Sequence, residues 1–146
     1  EFSVNVLKPE RTLCEKIMSL VRFSYSVDYV ADLKSKIRHT SDIYQLLQEK
    51  DISEFFGSDE FEKMLNKVGQ DDVVSYKNDN EWLKFHPKDS RFFQNLDEIW
   101  LQLEPTYKTD FRNLVYGTFP DAEFVKTTLN LVKKRIEGLL WEVDKN

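Results

Sequence analysis

Val6-Leu7-Lys8-Pro9-Glu10-Arg11-Thr12-Leu13-Cys14-Glu15-Lys16 opens the first third of the chain, and Ile37-Arg38-His39-Thr40-Ser41-Asp42-Ile43-Tyr44-Gln45-Leu46-Leu47 closes it. Apolar residues recur there at three and four positions, the period of an amphipathic helix. Pro9 suits the first turn of a helix, where its missing N–H costs nothing. The spacing predicts a first helix over 9–25, with Leu13, Cys14, Ile17, Leu20 and Val21 on one stripe and Met18 at its edge. Arg11, Glu15 and Arg22 gather on the opposite face. Arg11 and Glu15 are one turn apart and can pair. Lys16 falls at the margin of the stripe, where a lysine either lines a cleft or snorkels past its apolar neighbours.

Ser26-Val27-Asp28 predicts a break, and a second helix over 28–48 follows with Val30, Leu33, Ile37, Tyr44 and Leu47 as its stripe. Asp42 points away from that stripe, toward Arg38 and His39. Arg38 and Asp42 stand at i and i+4, which by spacing alone is a surface ion pair worth about 0.3–0.5 kcal/mol. Before these helices, Phe2, Val4 and Val6 alternate with Ser3, Asn5 and Leu7, the period of a strand. A lone strand leaves backbone groups unpaired. The strand and the absent initiator Met predict a chain cut from a larger protein. Residues 1–8 would be an edge strand of an upstream domain, and 9–146 a C-terminal helical domain.

Further along, the pattern predicts a helical turn over 51–56, ended by Gly57, and a third helix over 59–68 capped by Ser58. The polar stretch 69–90 reads as a long excursion anchored by Trp82-Leu83-Lys84-Phe85. Another helix begins at Phe92-Phe93, and Pro105 should kink or end it. Tyr107, Phe111, Leu114 and Val115 continue at helical spacing. A last helix is expected over 121–143, with Phe124, Val125, Leu129, Val132, Ile136, Leu139 and Leu140 inward, and Lys126, Lys133, Lys134 and Arg135 as its solvated face. The fold class is therefore mostly α, a bundle of about five or six helices with a short N-terminal strand.

Composition excludes several classes of protein. Four Gly and four Pro in 146 residues argue against a loop-rich all-β fold. One cysteine, Cys14, allows no internal disulfide and suits a reducing compartment, so a cytoplasmic location is expected. No apolar run approaches a membrane span, and no membrane partner is expected. The net charge of −5 is unevenly placed. Residues 8–50 hold eight Lys/Arg against six Asp/Glu, a balance of +2 that leaves −7 for the rest. An anionic ligand would therefore meet the first two helices. HExxH, paired CxxC and GxxxxGK[ST] are absent, so the common zinc and P-loop signatures are missing. Two histidines, His39 and His86, are too few for a metal site, and no metal ligands are assigned.

The two quoted stretches resemble the last motif of the AbiEii/AbiGii-type toxin nucleotidyltransferases, within the DNA polymerase β-like nucleotidyltransferase superfamily. That pattern is a "PERT…EK" helix followed by an "R-x-x-x-D-[hydrophobic]-[aromatic]" helix. The later run Trp100-Leu101-Gln102-Leu103-Glu104, Tyr107, Asp110-Phe111, Leu114-Val115-Tyr116-Gly117 and Pro120 is similar to the tail of a bacterial branch of the family. The resemblance implies that Lys16 contacts a nucleotide triphosphate. It implies that Asp42 is either a base toward the acceptor hydroxyl or an orienter of that lysine. Arg38 and His39 become candidates for nucleotide or acceptor contacts, and Glu15 stays structural. The family's Gly-Ser turn and metal carboxylates are not in this sequence. The resemblance therefore implies an upstream nucleotidyltransferase domain using Mg²⁺ and NTP, with this chain alone binding neither metal nor nucleotide. It further implies an RNA acceptor such as tRNA and an antitoxin partner. The alternative reading is a non-enzymatic helical module that binds protein or nucleic acid, with Lys16 and Asp42 as surface residues.

Overall fold

Apolar residues three and four apart set the backbone over most of the chain. The computed structural model describes residues 8–115, 117 and 119–143. Among these residues eight α-helices follow in order: α1 (Pro9–Phe23), α2 (Tyr29–Ser35), α3 (Ile37–Gln48), α4 (Lys50–Phe56), α5 (Asp59–Ser75), α6 (Arg91–Gln94), α7 (Leu96–Thr106) and α8 (Ala122–Glu137). The fold is mostly α as expected, with more and shorter helices than the five or six read from periodicity. The expected strand lies outside the described residues.

α1 is the central element. Leu13, Cys14, Ile17, Met18, Leu20 and Val21 are all buried on it, and α5, α3, α2, α4 and α6 pack around it. It starts at Pro9 and stops at Phe23, two residues short of expectation. The Ser24 hydroxyl donates to the Val21 carbonyl at 2.8 Å, and this satisfies a buried polar group while the helix closes.

The single helix expected over 28–48 is two helices. Lys36, at φ −112° and ψ 23°, interrupts the helical backbone. The break changes which face of α3 is buried. Ile43 is fully buried, with Thr40 and Ser41 beside it, while Tyr44 and Leu47 are only half-buried. The buried Thr40 hydroxyl donates to the Ile37 carbonyl at 2.7 Å, so a polar side chain occupies the core without an orphaned group.

α5 runs seven residues beyond the predicted end at Val68. Ser58 caps it by accepting from the Glu60 amide at 3.2 Å. The inward stripe Phe61, Leu65 and Val68 continues through Gly69 and Val73. The polar composition of 69–75 hid this continuation, because one inward residue per turn holds a helix whose other faces are solvated or paired. Beyond α5, two 3₁₀ turns, Glu81–Lys84 and Pro87–Asp89, bury Trp82 and Leu83 and leave Phe85 half-exposed.

Pro105 does not end its helix. The chain passes from α7 into a π-helical turn, Tyr107–Phe111, and a 3₁₀ turn, Arg112–Leu114. The Thr109 hydroxyl donates to the Pro105 carbonyl at 2.7 Å. A π turn takes up the disruption that proline brings to the helical ladder. Tyr107 is fully buried, lies 5.8 Å from Trp100 and 4.7 Å from Phe119 between ring centres, and donates its hydroxyl to the Pro120 carbonyl at 2.7 Å.

α8 ends at Glu137, six residues earlier than expected, and 139–143 fold back as an irregular strap over α5. Asn66 holds the strap from both sides, donating to the Leu140 carbonyl at 3.0 Å and accepting from the Glu142 amide at 2.7 Å. The Leu140 amide donates to Glu62 at 2.6 Å, and the Trp141 indole donates to the Leu83 carbonyl at 2.9 Å. His86 accepts from the Lys88 amide on Nδ1 at 3.0 Å. Its Nε2 therefore carries the proton given to the Leu139 carbonyl at 2.8 Å. Phe124 and Leu140, expected inward, are exposed. Lys126 and Arg135, read as solvated, are tethers. Lys126 meets Asp97 at 2.7 Å, and Arg135 donates to the Phe56 and Ser58 carbonyls, each at 2.8 Å.

A glycine is required at position 69. A Cβ there would lie 2.5 Å from the Trp141 ring and 2.8 Å from a Val143 methyl. Gly69→Ala is expected to cost about 1–3 kcal/mol, the range for overpacking a close contact. Urea unfolding followed by tryptophan emission checks this, since the strap must lift Trp141 away. Unchanged stability with unchanged emission would show that the strap does not seat on Gly69.

Candidate functional site

α1 and α3 pack against each other. Ile17 and Ile43 are fully buried, and each has one polar sequence neighbour at the rim of the buried seam. Those neighbours, Lys16 and Asp42, meet there with Nζ 3.0 Å from Oδ2. The side chains are 24% and 31% exposed. A pair this open to solvent contributes at most about 1 kcal/mol, so an incoming anion can replace Asp42 as the partner of Lys16 at little cost. The ion pair expected between Arg38 and Asp42 does not form. Asp42 pairs across the helices instead.

His39 sits one turn before Asp42 on α3. Its ring is half-buried, and Nδ1 is buried without a hydrogen-bond partner among the described residues. Burial lowers its pKa from 6.5 to about 4, the Lys16 and Lys36 charges push the same way, and Asp42 opposes them. The imidazole beside Lys16 is thus neutral near pH 7. Arg38 is exposed and lines a cleft of about 540 Å³ between the α2–α3 junction and the turns after α7, with Lys34, Ile37, Asp110, Phe111 and Leu114. The structure therefore brings Lys16, Asp42 and His39 to one rim and places Arg38 in the adjoining cleft.

A second polar cluster lies between α1 and α5, and the loop reading of 69–75 missed it. Arg11 meets Glu15 and Asp71, both at 2.9 Å. Glu15 is thus committed to structure, as expected. Arg22 stacks over the Tyr76 ring at 4.0 Å, and its Nε is buried without a partner among the described residues. Burial raises the Asp72 pKa from 3.8 to about 6, the Glu15 and Asp71 charges add to the rise, and Arg11 and Arg22 oppose it. The spacing Leu65, Val68, Asp72 was the signal that α5 continues and carries Asp72 toward α1.

Asp72 and His39 tilt pH stability in opposite directions. Between about pH 4 and 6 the folded chain holds a proton on Asp72 that the unfolded chain has lost, so this contribution falls as pH rises. Between about pH 6.5 and 4 the unfolded chain protonates His39 while the folded chain resists, so this contribution falls as pH drops. Asp72→Asn is expected to stabilise the fold at pH 7 by about 1 kcal/mol, after discount for its exposure. The gain should vanish below pH 4 and leave a steeper acid-side decline owing to His39. Urea midpoints across pH 4–7 read this. A gain independent of pH would exclude titration of Asp72 as its cause.

No group of three His, Cys, Asp or Glu comes together among the described residues in a way that could hold a metal ion. Cys14 is fully buried, and burial pushes its thiol far above the usual range, which suits an inert core residue. None of the described helices is long and apolar enough to cross a membrane.

Residues 1–136 match the family model described as "Nucleotidyl transferase AbiEii toxin, Type IV TA system". No curated protein and no solved structure matches the chain.

Proposed function

Because this chain belongs to the AbiEii nucleotidyl transferase toxin family, we propose that its protein transfers a nucleotide from an NTP to an RNA 3′ hydroxyl, with tRNA as the acceptor class, as the toxin of a toxin–antitoxin pair. The helical region described above forms one wall of the NTP and acceptor cleft. The observation that carries this reading is the 3.0 Å contact between Lys16 and Asp42, two residues on separate helices.

In this reading Lys16 leaves Asp42 for the triphosphate, where an ammonium acts as a point charge. The acceptor hydroxyl attacks the α-phosphorus and gives up its proton to solvent, the bond between the α- and β-phosphates breaks, and pyrophosphate leaves with its charge partly neutralised by Lys16. Asp42 is a positioning residue that holds Lys16 at the rim until the triphosphate takes it over. His39, neutral at the same rim, is assigned as a contact to the nucleotide or the acceptor. The family's chemistry implies Mg²⁺, but the described residues bring no cluster to hold it. The metal carboxylates are therefore assigned to an N-terminal nucleotidyltransferase domain, and no step is routed through the metal here. The antitoxin is the partner expected of the family.

The test incubates the full-length protein with each labelled NTP, Mg²⁺ and total RNA, beside Lys16→Ala and Asp42→Ala variants that retain native circular dichroism. The expected result is label on RNA that falls in both variants. Label that persists in both would remove this pair from the reaction. No label with any nucleotide would overturn nucleotidyl transfer and favour a non-enzymatic binding module.

A further inference from the structure

We infer that the cleft between the α2–α3 junction and the π turn binds one nucleoside monophosphate unit, with the phosphate on Arg38 and Lys34 and the base against Phe111 and Leu114. This deepens the proposed function and rests on it for its role, because it names the acceptor's seat.

The cleft has a volume of about 540 Å³, within the range of roughly 300–1,000 Å³ typical of small-ligand sites. Its lining is sorted by chemistry. Lys34 and Arg38 are both exposed and supply two cations from consecutive helices. Neither is drawn into an ion pair among the described residues, whereas the neighbouring Lys16 on α1 and Lys108 of the π turn are each held by a carboxylate. Ile37 and Phe111 form a buried apolar floor, and Leu114 stands 74% exposed at the rim. An apolar side chain held open beside two uncommitted cations suits a ligand that joins a flat apolar face to an anion, as a nucleotide does. Asp110 is an acceptor on the opposite wall. It suits ribose hydroxyls or an exocyclic amine, and it repels a purely acidic peptide.

Position favours the acceptor over the NTP. Arg38 is one helical turn before Asp42 on α3, so a unit whose phosphate lies on Arg38 can direct its sugar toward the Lys16–Asp42 rim. Lys16 is then left for the triphosphate. The same chemistry could come from a free mononucleotide or from the 3′-terminal residue of a single-stranded RNA.

The test follows the methyl resonances of Ile37 and Leu114 in the full-length protein during titration with the four nucleoside 5′-monophosphates, a short single-stranded RNA with a free 3′ hydroxyl, and an acidic peptide. Shifts with mononucleotide and RNA support the seat. Binding of the RNA at least ten-fold tighter identifies the strand end as the ligand, and equal affinity per unit identifies the free nucleotide and overturns the acceptor assignment. Arg38→Ala and the surface variant Leu114→Glu should each weaken binding about ten-fold or more, a size suited to loss of a charged hydrogen bond or to placing a carboxylate where an apolar contact with the base stood. Unmoved methyls, shifts with the peptide alone, or native affinity in both variants would overturn the inference. The transfer assay separates this result from the parent reading. A raised acceptor KM with kcat retained in Arg38→Ala supports both. An unchanged KM removes the seat alone. Methyl shifts in a protein that transfers no nucleotide keep the nucleotide seat, remove its acceptor role, and overturn the activity.

Discussion

Lys16→Ala in the full-length protein is expected to lower nucleotidyl transfer by about 10²–10³-fold, the usual cost of deleting one group that stabilises transition-state charge. The fold should tolerate the change. The side chain is partly exposed and its pair with Asp42 is open to solvent, so stability should move by less than about 1 kcal/mol. Asp42 is expected to behave differently. As a positioning residue it should lose more activity on replacement by Ala than by Asn, because an amide still offers Lys16 an oxygen. An aspartate acting as the proton acceptor would lose as much in Asp42→Asn as in Asp42→Ala, and its pH–rate profile would change. Steady-state transfer by Lys16→Ala, Asp42→Ala and Asp42→Asn therefore separates the two roles. Native rates in Lys16→Ala would exclude this rim from the chemistry.

Phe61→Ala is expected to be the most destabilising single change considered, at about 3–5 kcal/mol. Phe61 is fully buried and meets Phe55 and Phe56 edge-on, with ring centres 5.9 and 4.7 Å away. The Arg135 guanidinium lies 5.2 Å over its ring, while hydrogen-bonding the carbonyls of Phe56 and Ser58. One ring thus joins α4, α5 and α8. Its removal opens a cavity and also weakens a tether that periodicity does not show. Thermal unfolding should fall by roughly 10–15 °C, given about 3 °C per kcal/mol for a chain of this size. A loss below about 1 kcal/mol would mean that the neighbouring rings collapse into the space.

The elements that were readable from the chain are those with a strong local signal. Pro9 with the stripe from Leu13 to Val21 locates α1, Ser58 and Phe61 locate the start of α5, and Phe92 to Leu103 identifies a buried helical run, although Asn95 divides the one helix expected there into α6 and α7. Errors cluster where local signals were silent or misleading. Nothing in Ser35-Lys36-Ile37 announces a break between α2 and α3, since no Gly or Pro is present. Asp71 and Asp72 look like loop residues until α1 supplies Arg11. Pro105 looks like a stop until a π turn carries the chain onward.

The candidate site divides in the same way. Lys16, Asp42, Arg38 and His39 were all nominated by the resemblance to the family's last motif. Spacing paired Asp42 with Arg38, because residues four apart on one helix are neighbours. Folding paired it with Lys16 instead and turned Arg38 into a cleft with Phe111 and Leu114. Periodicity and capping are local quantities, so the amino-acid order suffices for helix content and for most inward faces. Which helix meets which, and therefore which charge faces which, depends on how separate apolar stripes share one core. That choice is made by packing between residues far apart in the chain, and it left Lys34 and Arg38 uncommitted beside an open apolar floor.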